Sequence, residues 1–305
     1  MIDILMATRN GGRFLPEQLD SLLQQTVKSF RVLIHDDGSS DNTQEIIRDY
    51  ENRYPQKIHL MNDGICCGSA VKNFLHLTKY ASAQYVMYCD QDDVWLPEKV
   101  EISLNSMKEA EARLGTDCPV LVFAAYRPVD AELRELKKYG STILRQNPVF
   151  SRLLVENCVS GCVMMCNRAL YSLLGEYEEA ILMHDWWAAL IAAAMGQIVY
   201  IPREVMLYRQ HGGNSVGAMD TGSLRYRLHK LADKETRNKK NLYFRQAALL
   251  RERFANRLDP EAAAVLDGFL RIPEYRGKLH RMYALNRGDY VKGDPVSQIG
   301  FTLFI

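Results

Sequence analysis

The first half of the chain alternates short apolar runs with segments of helical periodicity. The apolar runs are five or six residues long, which suits buried strands better than helices. The helical segments begin near start signals such as Pro16 and Pro97 and place apolar residues three or four positions apart. The predicted strands are Ile2–Ala7, Phe30–His35, Lys57–Met61, Tyr85–Cys89 and Val120–Ala125. Because strands that alternate with helices are joined by right-handed crossovers, we predict an α/β fold with a mostly parallel sheet flanked by helices.

The pattern changes past Ser215 to long, Arg-rich sequence that favours helices and carries few strand signals. We therefore predict two parts, a sheet domain over residues 1–218 and a C-terminal helical extension over residues 219–305. Within the extension, Arg225–Arg257 contains eleven Lys or Arg residues against three Asp or Glu residues. This imbalance fits either a solvated helical face or a surface that contacts an anionic partner.

The overall composition is that of an ordinary globular protein. Of the 305 residues, 47% are hydrophobic and 25% are charged, which is enough apolar sequence for a large core. The formal net charge is +1, so the whole molecule offers no electrostatic case for a nucleic-acid partner. We expect none.

The seven cysteines do not form a recognisable disulfide framework, because their number is odd and the chain is long. Cys158, Cys162 and Cys166 recur every four residues, but no histidine cluster or CxxC pair accompanies them, so we interpret them as buried thiols. No apolar run reaches the roughly 18 residues of a spanning helix, and the N-terminus lacks the features of a signal peptide. Together these features predict a cytoplasmic protein.

Polar loops follow three of the predicted strands, at Thr8–Gly12, Asp36–Asp41 and Asp90–Asp93. Ligands of open parallel sheets bind beyond the carboxyl ends of the strands. The three loops should therefore meet at one edge of the sheet and form a site there.

Three carboxylates, Asp90, Asp92 and Asp93, lie together directly after the fourth predicted strand. Carboxylates this close repel one another unless a hard cation or strong donors neutralise them. In extended backbone Asp90 and Asp92 point to the same side, as a cation clamp requires. We assign these two to Mg²⁺ or Mn²⁺, which also takes substrate phosphate oxygens. We assign Asp93 to a cap on the following helix.

A second acidic loop contains Asp37, whose carboxylate can accept the N3–H of uracil or thymine, a donor that adenine lacks. Turn chemistry accounts for Gly38, and Ser39 or Ser40 is expected to cap the next helix. No Walker A or GxGxxG pattern occurs, so a bound phosphate must be met by a cation and basic side chains. This agrees with a cation at Asp90.

Several segments of the chain resemble those of the family 2 glycosyltransferases, which have the Rossmann-like GT-A fold. In order, the three that carry the resemblance are ILMATRNGGRFLPEQLDSLLQQT, VLIHDDGSSDNT and YVMYCDQDDVWLPEK, and the likeness covers roughly residues 1–218. Bacterial rhamnosyltransferase-like members, which build cell-surface polysaccharides, are similar also in CDQDDVW, NCVSGCVMMCN, HDWW and YRQHGGNSVG. The resemblance implies inverting transfer of a sugar from a UDP- or dTDP-sugar donor.

The resemblance also implies which residues bind the nucleotide. It assigns this role to Ala7, Arg9, Asp37, Lys72 and Asp90. Lys72 would approach the base or the phosphates, although a solvated lysine on a helix fits its position equally well.

Asp185, in HDWW, is the general base that the resemblance implies, while Asp90 and Asp92 form its DxD metal motif. An inverting transferase must remove a proton from the acceptor hydroxyl as that hydroxyl attacks the sugar. A carboxylate beside Trp186 and Trp187 would become more basic through desolvation. The alternative is a helix cap with both tryptophans in the core, and the two interpretations are compatible.

Arg209 and His211, in YRQH, would supply charge and hydrogen-bond donors to the leaving diphosphate. Arginine recognises phosphate in a bidentate manner, and such electrostatic help can be a large part of catalysis. His211 is also a candidate third ligand of the metal. The alternative is that both residues connect the helical extension to the sheet domain.

The sequence departs from the family pattern at Ala124 and Ala125, where relatives often carry an acidic residue. This weakens a specific assignment of rhamnose. The processive QxxRW signature is absent, so addition of a single sugar is expected. The implied acceptor is a glycan or a lipid-linked glycan, with peripheral contact at the cytoplasmic face of the membrane.

Two other functions compete with the enzyme. A transferase-like scaffold subunit of a polysaccharide assembly complex would bind nucleotide without turnover, but the complete DxD motif and Asp185 argue against it. A phosphoacceptor receiver domain would use the acidic pair Asp36 and Asp37. Such a domain is far shorter and has no place for DQDDVW or HDWW, so we set it aside.

Overall fold

The computed structural model describes residues 1–136, 148–212, 234–293 and 295–304. Its strands are β1 Ile2–Thr8, β2 Phe30–Asp36, β3 Ile58–Leu60, β4 Tyr85–Cys89, β5 Val94–Trp95, β6 Val120–Val129, β7 Met164–Asn167 and β8 Gln197–Arg209. Its helices are α1 Leu15–Leu23, α2 Thr43–Arg53, α3 Ala70–Thr78, α4 Lys99–Leu114, α5 Phe150–Leu153, α6 Arg168–Tyr171, α7 His184–Met195, α8 Lys234–Phe254, α9 Pro260–Leu270, α10 Lys278–Arg287 and α11 Pro295–Phe304.

The strands form one sheet in the order β3-β2-β1-β4-β7-β6-β8-β5. Four pairings are parallel, β1 with β2 and β4, β2 with β3, and β6 with β8. The pairings made by β7 and β5 are antiparallel. The predicted α/β sheet is thus confirmed, with antiparallel strands inserted beyond β4.

The strand register brings the polar loops to one edge. Thr8 lies opposite Asp36, and Met6 lies opposite Cys89, so β1, β2 and β4 end at nearly the same level. The buried Asp3 at the other end of β1 pairs with Arg31 of β2 at 2.6 Å. This ion pair explains how an acidic residue is accommodated within an apolar strand.

Apolar side chains fill both faces of the sheet, because alternate residues of each strand point in opposite directions. One core contains Leu5 together with Phe74 of α3 and Leu190 of α7. The other contains Ile4 and Met6, packed with residues from α1, α2 and α4.

The described sequence past residue 233 is helical, as predicted, and its helices share a core with the sheet domain. Trp187 of α7 contacts Phe254 of α8, with ring centroids 6.3 Å apart. Trp186 contacts Tyr243 at 5.5 Å. The boundary at residue 218 lies outside the described residues, so the division into 1–218 and 219–305 stays a prediction.

Three arginines in the described part of the basic region form ion pairs within the protein. Arg245 pairs with Glu179, Arg251 with Asp267, and Arg253 with Glu178. These contacts support a structural use of the three side chains rather than an anionic partner. The segment at 213–233 lies outside the described residues.

None of the helices within the described ranges is long and apolar enough to cross a membrane. Cys162 and Cys166 are buried free thiols as predicted, and Cys158 is partly buried. The expected serine cap is wrong, because α2 begins after Asn42 and has no side-chain cap. Ser39 instead connects two loops, accepting from the Asn10 amide and donating to Asp36.

Candidate active site

The loop after β1 is held in place by the two acidic loops. Gln91, the middle residue of DQD, accepts from the Arg9 amide at 2.8 Å and donates to the Arg9 carbonyl at 3.0 Å. The amides of Gly11 and Gly12 donate to Thr43 and Asp41. The first loop is therefore attached to both of its neighbours.

Glycine at position 11 leaves room for the Gln91 side chain in its observed conformation. A Cβ atom at position 11 would lie 2.2 Å from the Gln91 Oε1, well inside van der Waals contact. Sequence analysis did not identify Gln91. The feature of the sequence that could have identified Gln91 is its position between the two aspartates of the DQD motif, where its side chain can turn toward the neighbouring strand.

Two of the three predicted metal residues are in direct contact, whereas the ligand atom of Asp90 lies within 4.8 Å of Asp93 and Cys162. His211 contacts Asp92, with Nε2 and Oδ2 2.8 Å apart. The Asp90 carboxylate has no hydrogen bond to the described residues, and burial, Asp92 and Asp185 raise its pKa to about 7. A partly buried carboxylate that makes no such hydrogen bond and lies beside two others is an arrangement that a cation would stabilise.

The ligand chemistry of this group fits a hard divalent cation. Asp90 and Asp92 offer carboxylate oxygens, the preferred ligands of Mg²⁺ and Mn²⁺. The Cys162 sulfur lies close to Asp90 and Asp93, but burial and both carboxylates raise its pKa well above the ordinary value. These surroundings favour the protonated thiol in the metal-free protein.

Asp93 does not cap α4, which corrects the sequence interpretation. The helix begins at Lys99 after Glu98, whereas Asp93 is fully buried behind the metal motif. Its Oδ1 accepts from the Arg209 amide at 2.9 Å, and its Oδ2 has no hydrogen-bond partner within the described residues. Burial and the neighbouring Asp90 raise the pKa of this carboxyl well above its ordinary value.

Lys99 is an internal positive charge that sequence analysis missed. Its ammonium group is fully buried, lies 3.3 Å from the centre of the Trp95 ring and donates to the Cys162 carbonyl. Burial lowers the pKa of Lys99 to about 8, although Asp93 and Asp90 oppose that shift. The lysine therefore partly compensates the acidic cluster from behind the sheet.

Arg209 has protein partners at the position where a diphosphate contact was predicted. Its guanidinium donates to the Asp92 carbonyl at 2.7 Å, to the Ala131 carbonyl and to the Glu17 carboxylate. It also lies 4.5 Å from the centre of the Phe14 ring. The geometry supports a role in positioning the loop that carries Asp92, and contact of Arg209 with diphosphate stays a prediction.

Asp185 lies in the first turn of α7, and Met183 takes the N-cap position. Its Oδ2 accepts from the Gly161 amide at 3.0 Å, and its Oδ1 accepts from the Trp186 amide. Burial raises the pKa of Asp185 to about 6, against the opposing effect of these hydrogen bonds. The carboxylate therefore combines a fixed position with raised basicity, as a general base needs.

The neighbouring His184 packs as an apolar ring. It contacts Phe74 and Tyr88, with ring centroids 4.2 and 5.0 Å apart, and burial lowers its pKa to about 3. A Cβ atom on Gly161 would lie 2.6 Å from its Nε2, so this close approach requires glycine. His184 thus fixes the start of α7 beside Asp185.

The predicted nucleotide residues line the β1–β2 side of the edge. Asp37 is buried, accepts from the amides of Cys67 and Gly68, and has an Arg9 nitrogen 3.9 Å from its Oδ2. Ala7 is partly buried and packs against the core. Lys72 lies over the Tyr177 ring at 5.1 Å. Contact of these residues with a nucleotide stays a prediction.

A cavity of about 470 Å³ lies at the other end of α7 from Asp185 and is lined by residues such as Ala194, Asp259 and Val265. None of the predicted site residues borders it. The acidic edge, where the charged groups converge, is therefore the better candidate for chemistry.

The raised pKa of Asp90 predicts how the stability of the metal-free protein depends on pH. The unfolded carboxyl releases its proton near pH 3.8 and the folded one near pH 7, so the metal-free protein loses stability as pH rises between these values. Asp90→Asn should therefore raise the melting temperature of metal-free protein at pH 8 by at least about 3 °C, and by less at pH 5. Equal melting temperatures of variant and wild type at pH 8 would contradict this, with exposed Asp117→Asn as the control.

The chain belongs to the glycosyl transferase family 2, whose model matches residues 3–174. The dTDP-rhamnosyl transferase RfbG of Shigella flexneri is 28% identical over 249 residues, which cover 73% of this chain and 77% of that protein. A glycosyltransferase of Rickettsia prowazekii (strain Madrid E) is longer, and the match spans 63% of it, less than two thirds of its length.

Solved structures show the same fold. S. aureus TarS in complex with UDP-GlcNAc has a TM-score of 0.61 and 18% identity, covering 98% of this chain and 78% of that one. The mannosyltransferase PcManGT from Pyrobaculum calidifontis, in complex with GDP-Man and Mn²⁺, has a TM-score of 0.54 and 16% identity, covering 98% and 77%. The predicted GT-A fold with helices in the C-terminal region is confirmed.

Proposed function

We propose that this protein is an inverting, metal-dependent glycosyltransferase that moves one sugar from a UDP- or dTDP-sugar to a hydroxyl of a glycan. The observation that carries the proposal is the convergence of acidic side chains from two distant parts of the chain. Asp185, on α7, accepts from the Gly161 amide at 3.0 Å, and the sulfur of the next residue, Cys162, lies within 4.8 Å of the carboxylates of Asp90 and Asp93. The proposed base would thus lie near the proposed metal motif at one edge of the sheet.

The donor nucleotide is assigned to the β1–β2 side of this edge. Ala7, Arg9 and Asp37 border the loop that carries Cys67 and Gly68. A carboxylate there favours uracil or thymine, which can donate N3–H. The names of RfbG and of the TarS complex, which specify dTDP-rhamnose transfer and UDP-GlcNAc respectively, are consistent with this choice.

Asp90 and Asp92 would hold Mg²⁺ or Mn²⁺, with His211 beside them, and the bound cation would supply positive charge for the diphosphate. PcManGT with GDP-Man and Mn²⁺ is a precedent from the same fold. Gln91 joins this loop to the Arg9 backbone. The protein itself thus keeps the metal motif and the nucleoside loop at a fixed spacing.

Asp185 would take the proton from the acceptor hydroxyl. The acceptor oxygen forms a bond to the anomeric carbon, the bond from that carbon to the diphosphate oxygen breaks, and the proton passes to the carboxylate. Because the oxygen attacks from the side opposite the leaving group, the anomeric configuration inverts. The hydrogen bonds from Gly161 and Trp186 hold the carboxylate in place during this step.

We propose the donor sugar and the acceptor in more general terms than the nucleotide and the cation. The likeness to RfbG supports rhamnose as one candidate, in the synthesis of a cell-surface polysaccharide at the cytoplasmic face of the membrane. Ala124 and Ala125, both buried in β6 where its register with β8 shifts, leave other hexoses as candidates. Residues 1–218 would carry catalysis, with residues 219–305 as the helical extension.

The proposal is tested by a donor panel. Purified full-length protein is mixed with Mn²⁺ and with dTDP-rhamnose, UDP-glucose, UDP-GlcNAc or GDP-mannose, and melting and donor hydrolysis are measured. A matching donor at about 100 times its Kd should stabilise the protein by about 2.7 kcal/mol. If none of the donors stabilises the protein or is hydrolysed, the proposal is refuted. If a donor binds but is not turned over, the result favours the alternative of a non-catalytic scaffold subunit.

A further inference from the structure

A second group of potential metal ligands lies outside the acidic edge. It consists of His35 in β2, Asp63 after β3 and His76 in α3, whose ligand atoms all lie within 4.8 Å of one another. The Nε2 atom of His35 is 3.3 Å from the Asp63 Oδ1, and the Nε2 atom of His76 is 2.6 Å from the Asp63 Oδ2. The proposed transferase chemistry does not use this cluster.

Asn73 fixes the tautomer of His35. The Asn73 Nδ2 donates to the His35 carbonyl at 3.3 Å, which directs its Oδ1 to the His35 Nδ1 at 2.7 Å. An amide oxygen can only accept, so the Nδ1 atom must carry the hydrogen. In a neutral ring the Nε2 atom then has a lone pair and no hydrogen.

This lone pair points at a carboxylate oxygen of Asp63. The side chain of His35 is only 2% exposed, and the 3.3 Å between its Nε2 atom and the Asp63 Oδ1 leaves no room for a water molecule between them. Two lone pairs at 3.3 Å repel each other unless a cation lies between them. That cation is either a second proton on the histidine or a metal ion.

We propose that His35, Asp63 and His76 bind a divalent transition-metal ion of the zinc class. Two imidazoles and one carboxylate are a ligand set that zinc accepts, with water as the fourth ligand. His76 and Asp63 are 14% and 21% exposed, which gives water access. A histidine ligand normally donates its other N–H to a neighbouring oxygen, as His35 does to Asn73.

The site would stabilise the loop that follows β3. Asp63 also accepts from the Ile65 amide and from the Tyr80 hydroxyl. A few residues further on, the amides of Cys67 and Gly68 donate to Asp37. A metal at Asp63 would therefore fix one end of the segment whose other end covers the nucleoside side of the sheet edge.

The test measures Zn²⁺ binding to the metal-free, full-length protein by calorimetry, without any donor. All variants are made in the Asp92→Asn background, which removes a ligand of the proposed acidic-edge site. One saturable site is expected in Asp92→Asn alone and with His59→Gln added, a matched control because His59 lies on β3 outside the cluster. Adding His76→Gln or Asp63→Asn should raise the Kd at least about 100-fold, more than the roughly 10- to 100-fold effect of losing a residue that only hydrogen-bonds to a ligand. Zn²⁺ should also raise the melting temperature of Asp92→Asn but not of the variant that adds His76→Gln.

Binding at the acidic edge is separated from binding at this cluster by Asp92→Asn. Zn²⁺ binding that persists in Asp92→Asn and is lost when His76→Gln is added supports the cluster. No saturable site in Asp92→Asn, or equal affinity when His76→Gln is added, would overturn the proposal and leave a histidinium–carboxylate pair. Because no sugar donor is present, this result is independent of whether the protein transfers sugar.

Discussion

Asp185→Asn is expected to lower the rate of sugar transfer by about 10²–10⁴-fold, the usual contribution of a general base. The Kd for the donor should change by less than about twofold, because the carboxylate is assigned to the acceptor proton rather than to the nucleotide. Single-turnover transfer and donor binding measured on the same protein preparation separate the two effects. Transfer that persists near the wild-type rate would exclude Asp185 as the base.

The pH dependence of transfer gives an independent check on the same residue. Burial raises the pKa of Asp185 to about 6, and only the ionised form can accept a proton. The value of kcat/KM for wild type should therefore fall about tenfold per pH unit below that pKa. This acidic limb should be absent from the residual activity of Asp185→Asn, whose melting temperature shows whether the helix start remains folded.

Asp92→Asn is the second change with a large expected effect. A bound cation contributes several kcal/mol to stabilising a departing diphosphate, and about 1.4 kcal/mol corresponds to a factor of ten. We expect the transfer rate at a fixed Mn²⁺ concentration to fall about a thousandfold, and the concentration of Mn²⁺ needed for half-maximal activity to rise.

The matched control for this variant is Asp117→Asn, an exposed carboxylate between α4 and β6. It removes the same charge and should leave the Mn²⁺ titration unchanged. If Asp92→Asn and Asp117→Asn give the same activity and the same titration, the DxD motif does not hold the cation.

The sequence predicts the strands β1 to β4 and the first part of β6, but not β5, β7 or β8. The predicted strand Tyr85–Cys89 has the same bounds as β4, because a parallel strand buried on both faces is a continuous apolar run. The strands β5 and β7 are short, and β8 mixes charged with apolar residues along Gln197–Arg209. Such strands are defined by their pairing partners, which a local pattern does not contain.

The residues of the candidate site likewise divide into those whose positions the sequence predicts and those whose positions it does not. The meeting of the acidic loops at one edge was predictable, because the carboxyl ends of parallel strands share an edge. The buried Lys99 was not, since a lysine in the first turn of a helix normally faces solvent. Arg209 was assigned to the phosphates because arginine binds phosphate well, and nothing in the sequence indicates that three of its N–H donors bond to Asp92, Ala131 and Glu17.

The packing of α7 against its neighbours has a consequence for engineering this enzyme. The helix that carries Asp185 is wedged between the sheet and α8, through the contacts of Trp186 with Tyr243 and of Trp187 with Phe254. A hybrid that took its last helices from a relative would also receive a new support for the proposed base. If Asp185 removes the acceptor proton, exchanging the C-terminal helices would change that step, and chimeras should carry α7 and α8 over as one unit.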